Sequence, residues 1–208
     1  MSNPLLIIGG RGQLARALYH LRPDALLLDR NVMDLAYPDQ VSEVLERYDA
    51  SAVINAAAYT QVDKAEEEER LATRINADAP AAMMIYCQQR QIPLIHVSTD
   101  YVFDGSGDTP WKEEDAPAPL NAYGRSKLAG EEAIAHIGGN YLILRTSWVY
   151  DAHGKNFLDT ILRLAAEREE LRIIADHYGA PTYAPHLAEG VLAAFSSAAS
   201  TPSARCGA

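Results

Sequence analysis

Cysteine is nearly absent from this sequence: Cys87 and Cys206 are its only two thiols in 208 residues. Neither belongs to a CxxC pair, which argues against a disulfide scaffold and against a structural zinc site. Long apolar runs are missing too, none reaching the roughly 18 residues of a membrane span. Excess positive charge is lacking: 28 acidic residues stand against 18 basic ones, a formal charge of −10. No nucleic acid and no membrane is therefore expected as a partner, since both need a basic face, although a local basic pocket for a small phosphate ligand is still allowed. The amino terminus, Met1-Ser2-Asn3-Pro4, has no basic region or cleavage site of a signal peptide, and the expected compartment is cytoplasmic. The six histidines, His20, His96, His136, His153, His177 and His186, show no metal-ligand spacing. What is present is apolar material, 48% of the chain, enough for the core of one large domain with a small appendage.

Short apolar runs alternate with amphipathic stretches. Strands are expected at Leu5–Ile8, Ala25–Leu28, Ala52–Ala57, Pro93–Ser98, Tyr141–Val149 and Leu171–Ala175. Helices are expected at Gly12–Leu21, Pro38–Tyr48, Lys64–Gln91 with a kink at Pro80, Asn121–His136, Lys155–Arg168 and His186–Phe195. This alternation predicts an α/β fold with a doubly wound parallel sheet, whose ligands bind beyond the carboxyl ends of the strands. Residues 1–150 read as the first unit, 151–195 as the start of a second lobe, and 196–208, rich in Ser and Ala, as a disordered tail.

The chemistry gathers at the strand ends. Gly9, Gly12 and Ala15 give a G-x-x-G-x-x-A spacing between the first strand and the first helix. Glycine at the first two positions lets the backbone approach a pyrophosphate, a small third residue lets the helix pack on the strand, and the helix start supplies N–H groups. Asp29, twenty residues after Gly9, stands where a carboxylate would accept from the adenine ribose hydroxyls. Arg30 and Arg11 could instead hold a 2′-phosphate. The two signals conflict; the expectation is NADPH with tolerance of NADH. The small residues Ala56, Ala57 and Ala58 after Asn55 leave room for a cofactor against the backbone. Tyr123 and Lys127, four apart on a predicted helix, emerge on one face, where an ammonium would favour the phenolate and lower the phenol's pKa. Ser98-Thr99-Asp100, at the end of the fourth strand, would bring a hydroxyl to the same substrate oxygen. Together these make a hydride-transfer site, with Tyr123 as proton donor, Lys127 tuning it and binding the nicotinamide ribose, and Thr99 polarising the carbonyl.

With these residues in place, the chain resembles the extended short-chain dehydrogenase/reductases of the Rossmann type, and within them the dTDP-4-dehydrorhamnose reductases. The matching segments are GGRGQLA (from Gly9), NAAAYTQVDKAE (from Asn55), STDYVFDG (from Ser98), PLNAYGRSKLAGE (from Pro119), RTSWVYDAHGKNF (from Arg145) and GAPTYAPHLA (from Gly179). The resemblance implies reduction of a dTDP-4-keto sugar by NAD(P)H in dTDP-rhamnose biosynthesis. Thr99, Tyr123 and Lys127 match the catalytic positions. Gly9, Gly12, Gln13 and Leu14 match the cofactor loop, with Tyr59 and Ser98 joining the cofactor side. Asp100, Tyr101, Val102, Phe103, Trp148 and Asn156 match positions near the sugar nucleotide. The resemblance also admits a homodimer and a magnesium ion, for which no ligands are assigned. Relatives of this family continue into a C-terminal lobe over the substrate. The substrate lobe is thus expected to be incomplete in these 208 residues, with cofactor binding kept and turnover impaired. Two alternatives stay open: a nucleotide-sugar epimerase or dehydratase that retains NAD, and a non-catalytic NADP-binding regulatory subunit.

Two further features read as structure. The acidic run Glu66–Glu69 suits a solvated helix face. Cys87, on an apolar helix, suits the core rather than a nucleophile.

Overall fold

Strand β1 (Leu5–Ile8) is buried along its whole length and alternates between two hydrophobic layers. The computed structural model describes residues 3–152, 154, 156–173 and 176–200. Leu6 and Ile8 join Val53, Met83, Met84 and Leu94 on one face of the sheet. Leu5 and Ile7 join Leu18, Ile54, Ile95 and Val191 on the other. A strand apolar at every position must be covered on both faces, and helices do so here.

The sheet is completed by β2 (Leu26–Leu28), β3 (Ala52–Asn55), β4 (Leu94–Thr99) and β5 (Tyr141–Thr146). All pairings are parallel, in the order β2-β1-β3-β4-β5. The chain winds outward in opposite directions from β1 and β3, so a crevice opens at the carboxyl ends of these neighbours. Helices α1 (Gln13–Leu21) and α8 (Ala184–Ser200) cover one face. Helices α2 (Val41–Glu46), α5 (Ala79–Arg90) and α6 (Ala122–Ile137) cover the other. Because α8 buries Ala184, Ala188 and Val191 in the layer of Leu14 and Leu18, it shares the core of the first unit.

Several expected boundaries move. The single helix expected over Lys64–Gln91 is four pieces: α3 (Val62–Ala65), α4 (Glu69–Thr73), a π-helical turn (Arg74–Asp78) and α5. Pro80 lies in the first turn of α5, directly after the π-helical turn, so the irregularity expected at the proline falls in the residues just before it. The strand expected over Tyr141–Val149 ends at Thr146. Trp148 then takes a left-handed φ of 45°, and a separate two-stranded parallel ladder forms between β6 (Val149–Tyr150) and β7 (Thr182–Tyr183). Leu171–Ile173 has no regular structure, and the rest of the strand expected there lies outside the described residues. Helix α8 runs on to Ser200, into the segment expected to be disordered, while 201–208 lie outside the described residues.

Helix α7 (Phe157–Glu167) stands apart. Asn156 caps it by accepting from the Asp159 N–H at 2.9 Å, yet the helix buries no residue. Phe157, Leu158 and Leu162 remain exposed. Among the described residues no helix is long and apolar enough to cross a membrane.

Candidate active site

The loop after β1 is fixed by Gly9, whose φ is +100°. A Cβ there would stand 2.9 Å from the Ala57 nitrogen, so glycine alone lets this loop lie on the chain leaving β3. Gly12 precedes α1 with no side-chain cap and no acid in the first turn. That leaves the first N–H groups of the helix available to an anion. Ala15 is fully buried against the sheet.

These turns enclose a cavity of about 820 Å³. Gly9, Gly12, Gln13, Leu14, Asp29, Arg30 and Ala56 through Tyr59 line one part. Ser98, Thr99, Asp100, Tyr101, Tyr123, Lys127, Trp148 and Asn156 line the other. Val102 and Phe103, expected beside them, do not reach it. Val102 is the fully buried last residue of the short 3₁₀ turn that follows β4. Phe103 is buried, stacked on Trp111 at 4.6 Å, with the Arg145 guanidinium 4.9 Å from its ring centre.

Two arginines flank the far end of the cavity, each paired. Arg11 Nε donates to Asp29 at 3.1 Å, and Arg30 Nε donates to Asp34 at 3.1 Å. The Asn31 backbone N–H and Arg11 together hold the Asp29 carboxyl below its usual range. Asn156 has two roles: it caps α7, and its amide donates to Gln13 Oε1 at 3.1 Å, joining the second lobe to the glycine loop.

Tyr123 and Lys127 lie on α6, and close packing seats that helix. Asn121 accepts from the Gly124 N–H at 2.8 Å as N-cap, and Glu66 accepts from the Ala122 N–H at 2.6 Å. A Cβ on Gly124 would collide with the Tyr101 carbonyl, so only glycine lets α6 press against the turn after Thr99. Tyr123 is thereby packed edge-on to Tyr101, with ring centres 5.5 Å apart. Asn76, on the π-helical turn, bonds both backbone groups of Tyr59 and donates to Ser126 Oγ at 2.9 Å. It pins the chain after β3 to α6.

The acids from Glu66 to Glu69 are therefore more than a solvated face. Glu66 caps α6, Glu68 accepts from the Tyr59 hydroxyl at 2.7 Å and pairs with Lys64, and Glu69 pairs with Arg125. The charges of these three meet specific donors because α3 and α4 lie against α6, while Glu67 is exposed.

The electrostatics differ from expectation at the phenol. Burial pushes Tyr123 up to about 12, opposed by the Thr99 hydroxyl, so it keeps its proton at neutral pH. Lys127 does not lower it, because its ammonium position is engaged elsewhere: Nζ lies 2.8 Å from the Val97 carbonyl and 3.0 Å from His96 Nε2. Burial lowers Lys127 to about 7, against the attraction of Glu131. Burial also raises the Asp100 carboxyl, which accepts from the Thr99 hydroxyl at 3.1 Å. The sequence places Asn55 only at the head of the small run Ala56–Ala58 and gives His96 no role, yet both lie behind the cavity wall in contact with Lys127 or its partner. Their signal was available: a polar residue inside a strand buried on both faces needs a buried partner.

The side chains present fit a dinucleotide. Beyond the Gly9 cradle, the buried hydroxyls of Ser98 and Thr146 line the cavity and find no hydrogen-bond partner among the described residues, so they can bond a ligand. Among the described residues no cluster of three or more His, Cys, Asp or Glu side chains could hold a metal ion. Cys87 is buried, and burial raises its thiol to about 12, as suits a core residue.

Comparison with known proteins agrees with this arrangement. The sequence model of the family described as the RmlD substrate binding domain matches residues 3–207. A dTDP-4-dehydrorhamnose reductase of Burkholderia thailandensis is 44% identical over 198 residues, which are 93% of this chain and 66% of that protein. One from Escherichia coli K12 is 50% identical over 156 residues, 75% of this chain and 52% of its own. The crystal structure of dTDP-4-dehydrorhamnose reductase from Bacillus anthracis in complex with NADP superposes with a TM-score of 0.90. It is 36% identical, and the match covers 95% of this chain and 72% of that one. The chain thus spans about half to two thirds of the length of these two curated relatives.

Proposed function

The chain belongs to the RmlD substrate binding domain family, and from that footing we propose that it reduces dTDP-4-dehydro-L-rhamnose to dTDP-L-rhamnose, using NADPH in preference to NADH. The observation that carries this reading is the meeting of Thr99, Tyr123 and Lys127 in one cavity with the Gly9 loop. Gly9, Gly12 and the start of α1 would hold the pyrophosphate, and Ser98 and Thr146 offer hydroxyls deeper in the crevice. Arg11 and Arg30 would exchange their carboxylate partners for a 2′-phosphate. When bound, the nicotinamide supplies hydride to the keto carbon. Tyr123 donates its proton to the keto oxygen, which completes the alcohol. A phenol held protonated by burial suits the reductive direction, since the donor is loaded at neutral pH. Thr99 stands beside it to hydrogen-bond the same oxygen, and Asp100 and Tyr101 form the adjoining wall.

Titration with each cofactor tests the binding half. NADPH is expected to bind more tightly than NADH, and NADH binding about tenfold tighter would contradict the preference. Trp148 lines the cavity, so excitation of tryptophan should give energy transfer to the bound reduced nicotinamide, lost in Trp148→Phe. Purified protein carrying stoichiometric NAD would point instead to an epimerase.

The chemical half should be slow in this chain. Phe157 lines the cavity yet is 71% exposed, and α7 is uncovered among the described residues. Water therefore reaches the place where the sugar would sit, and hydride transfer benefits from its exclusion. A coupled assay on the 208-residue chain should show turnover well below the common enzymatic value of about 10 s⁻¹. Turnover at that rate would contradict the reading of an open substrate side.

A further inference from the structure

A line of three hydrogen bonds runs through the protein interior from the backbone of Ala57 to Lys127. The Ala57 backbone N–H can only donate, so the Asn55 side-chain atom 3.1 Å from it is Oδ1. The amide nitrogen Nδ2 must then face His96 Nδ1, at 3.0 Å. An amide nitrogen donates, so Nδ1 carries the lone pair. In a neutral imidazole the proton then sits on Nε2, and Nε2 lies 3.0 Å from Lys127 Nζ. An ammonium has no lone pair to accept that proton; an amine does. The amine keeps two N–H bonds, one of which the Val97 carbonyl accepts at 2.8 Å. Asn55, His96 and Lys127 are each no more than 1% exposed, so water does not interrupt the line.

From this directionality we infer that Asn55 and His96 are positioning residues that hold Lys127 as a neutral amine, and that engagement of an anionic dinucleotide is coupled to uptake of one proton at Nζ. Burial acts in the same sense on both groups, lowering Lys127 and holding His96 well below its ordinary range. The other ionisable groups around the pair are Glu131 and Tyr123 on α6, Asp100 after β4, and Arg145 on β5. Arg145 is committed to Glu131 at 2.6 Å. Glu131 favours the ammonium, and with Arg145 opposite it the attraction is shared. The proton balance is simple: Nζ–H₂ plus one proton from solvent gives Nζ–H₃⁺. His96 Nε2–H can then no longer donate to it, so the imidazole must move its proton to Nδ1 and the Asn55 amide must turn to accept it through Oδ1, releasing the Ala57 N–H. Only in the ammonium form does Lys127 act on the phenol of Tyr123. The relay would thus delay activation of the proton donor until a dinucleotide is present.

This inference rests on the proposed dinucleotide site, and two measurements separate its failure from that of the site. Long-range ¹H–¹⁵N NMR of the protein without added nucleotide reads the His96 tautomer directly. A pyridine-like Nδ1 and a pyrrole-like Nε2 are expected; a pyrrole-like Nδ1 overturns the inference whatever the protein binds. Calorimetry of NADPH binding at pH 8, in phosphate and in Tris, reads proton uptake from the different ionisation enthalpies of the two buffers. Uptake close to one proton is expected, and uptake near zero overturns the inference. In His96→Gln the amide oxygen can accept from an ammonium at the Nε2 position, so uptake should fall several-fold while binding persists. Unchanged uptake in that variant would remove His96 from the coupling. If NADPH fails to bind at all, the dinucleotide reading fails, and the tautomer alone decides the state of Lys127.

Discussion

Tyr123→Phe is expected to slow hydride transfer by roughly 10³-fold, the usual contribution of a positioned general acid, while NADPH affinity stays nearly unchanged. The substitution removes one oxygen and leaves the ring that packs against Tyr101. Because burial raises the phenol to about 12 in the nucleotide-free protein, the parent protein should show no loss of the reductive step through deprotonation of Tyr123 near pH 7, even after Lys127 becomes an ammonium. Single-turnover decay of NADPH absorbance in the presence of the keto sugar, compared between parent and variant, checks both statements. A loss under tenfold would mean that another group, with Asp100 or Thr99 nearest, delivers the proton. A parallel loss of NADPH binding would mean that the ring has moved and that the variant reports on packing.

Glu131→Leu is expected to lower the unfolding free energy by about 3 kcal/mol, because it strands a guanidinium inside the protein. Arg145 donates to both Glu131 oxygens, through Nε at 3.1 and 3.2 Å and through Nη2 at 2.6 Å. The two side chains are only 17% and 6% exposed. The third guanidinium nitrogen, Nη1, is already buried without a hydrogen-bond partner among the described residues, so no hydrogen bond in view compensates for the loss. Arg145→Met in the same chain should restore at least half the loss, since an apolar side chain keeps the contact with the Phe103 ring and leaves no buried charge. Urea denaturation midpoints of the parent, the single and the double variant supply the comparison. A single-variant loss below about 1 kcal/mol, the range of exposed ion pairs, would show that solvent reaches the pair.

The amino-acid order determined the sheet. Runs such as Leu5–Ile8 and Ala52–Ile54 are apolar at every position and lead into glycine or small residues, so burial on both faces and a crevice beyond their ends followed from composition alone. Gly9, Thr99, Tyr123 and Lys127 could likewise be placed at that crevice from spacing, because the period of a helix and the direction of a strand fix which end each residue occupies. The protonation of the site could not be read this way. Four positions between Tyr123 and Lys127 bring both to one helix face, but only the packed protein shows Nζ taken up by His96 and the Val97 carbonyl, residues some thirty positions earlier in the chain. The same holds for the acids after Ala65, which a local reading gives to solvent and the fold gives to Tyr59, Ala122 and Arg125. Local spacing reports which atoms share a surface. Charge state depends on what lies across that surface and on how little water remains there, and both are set by contacts between distant segments.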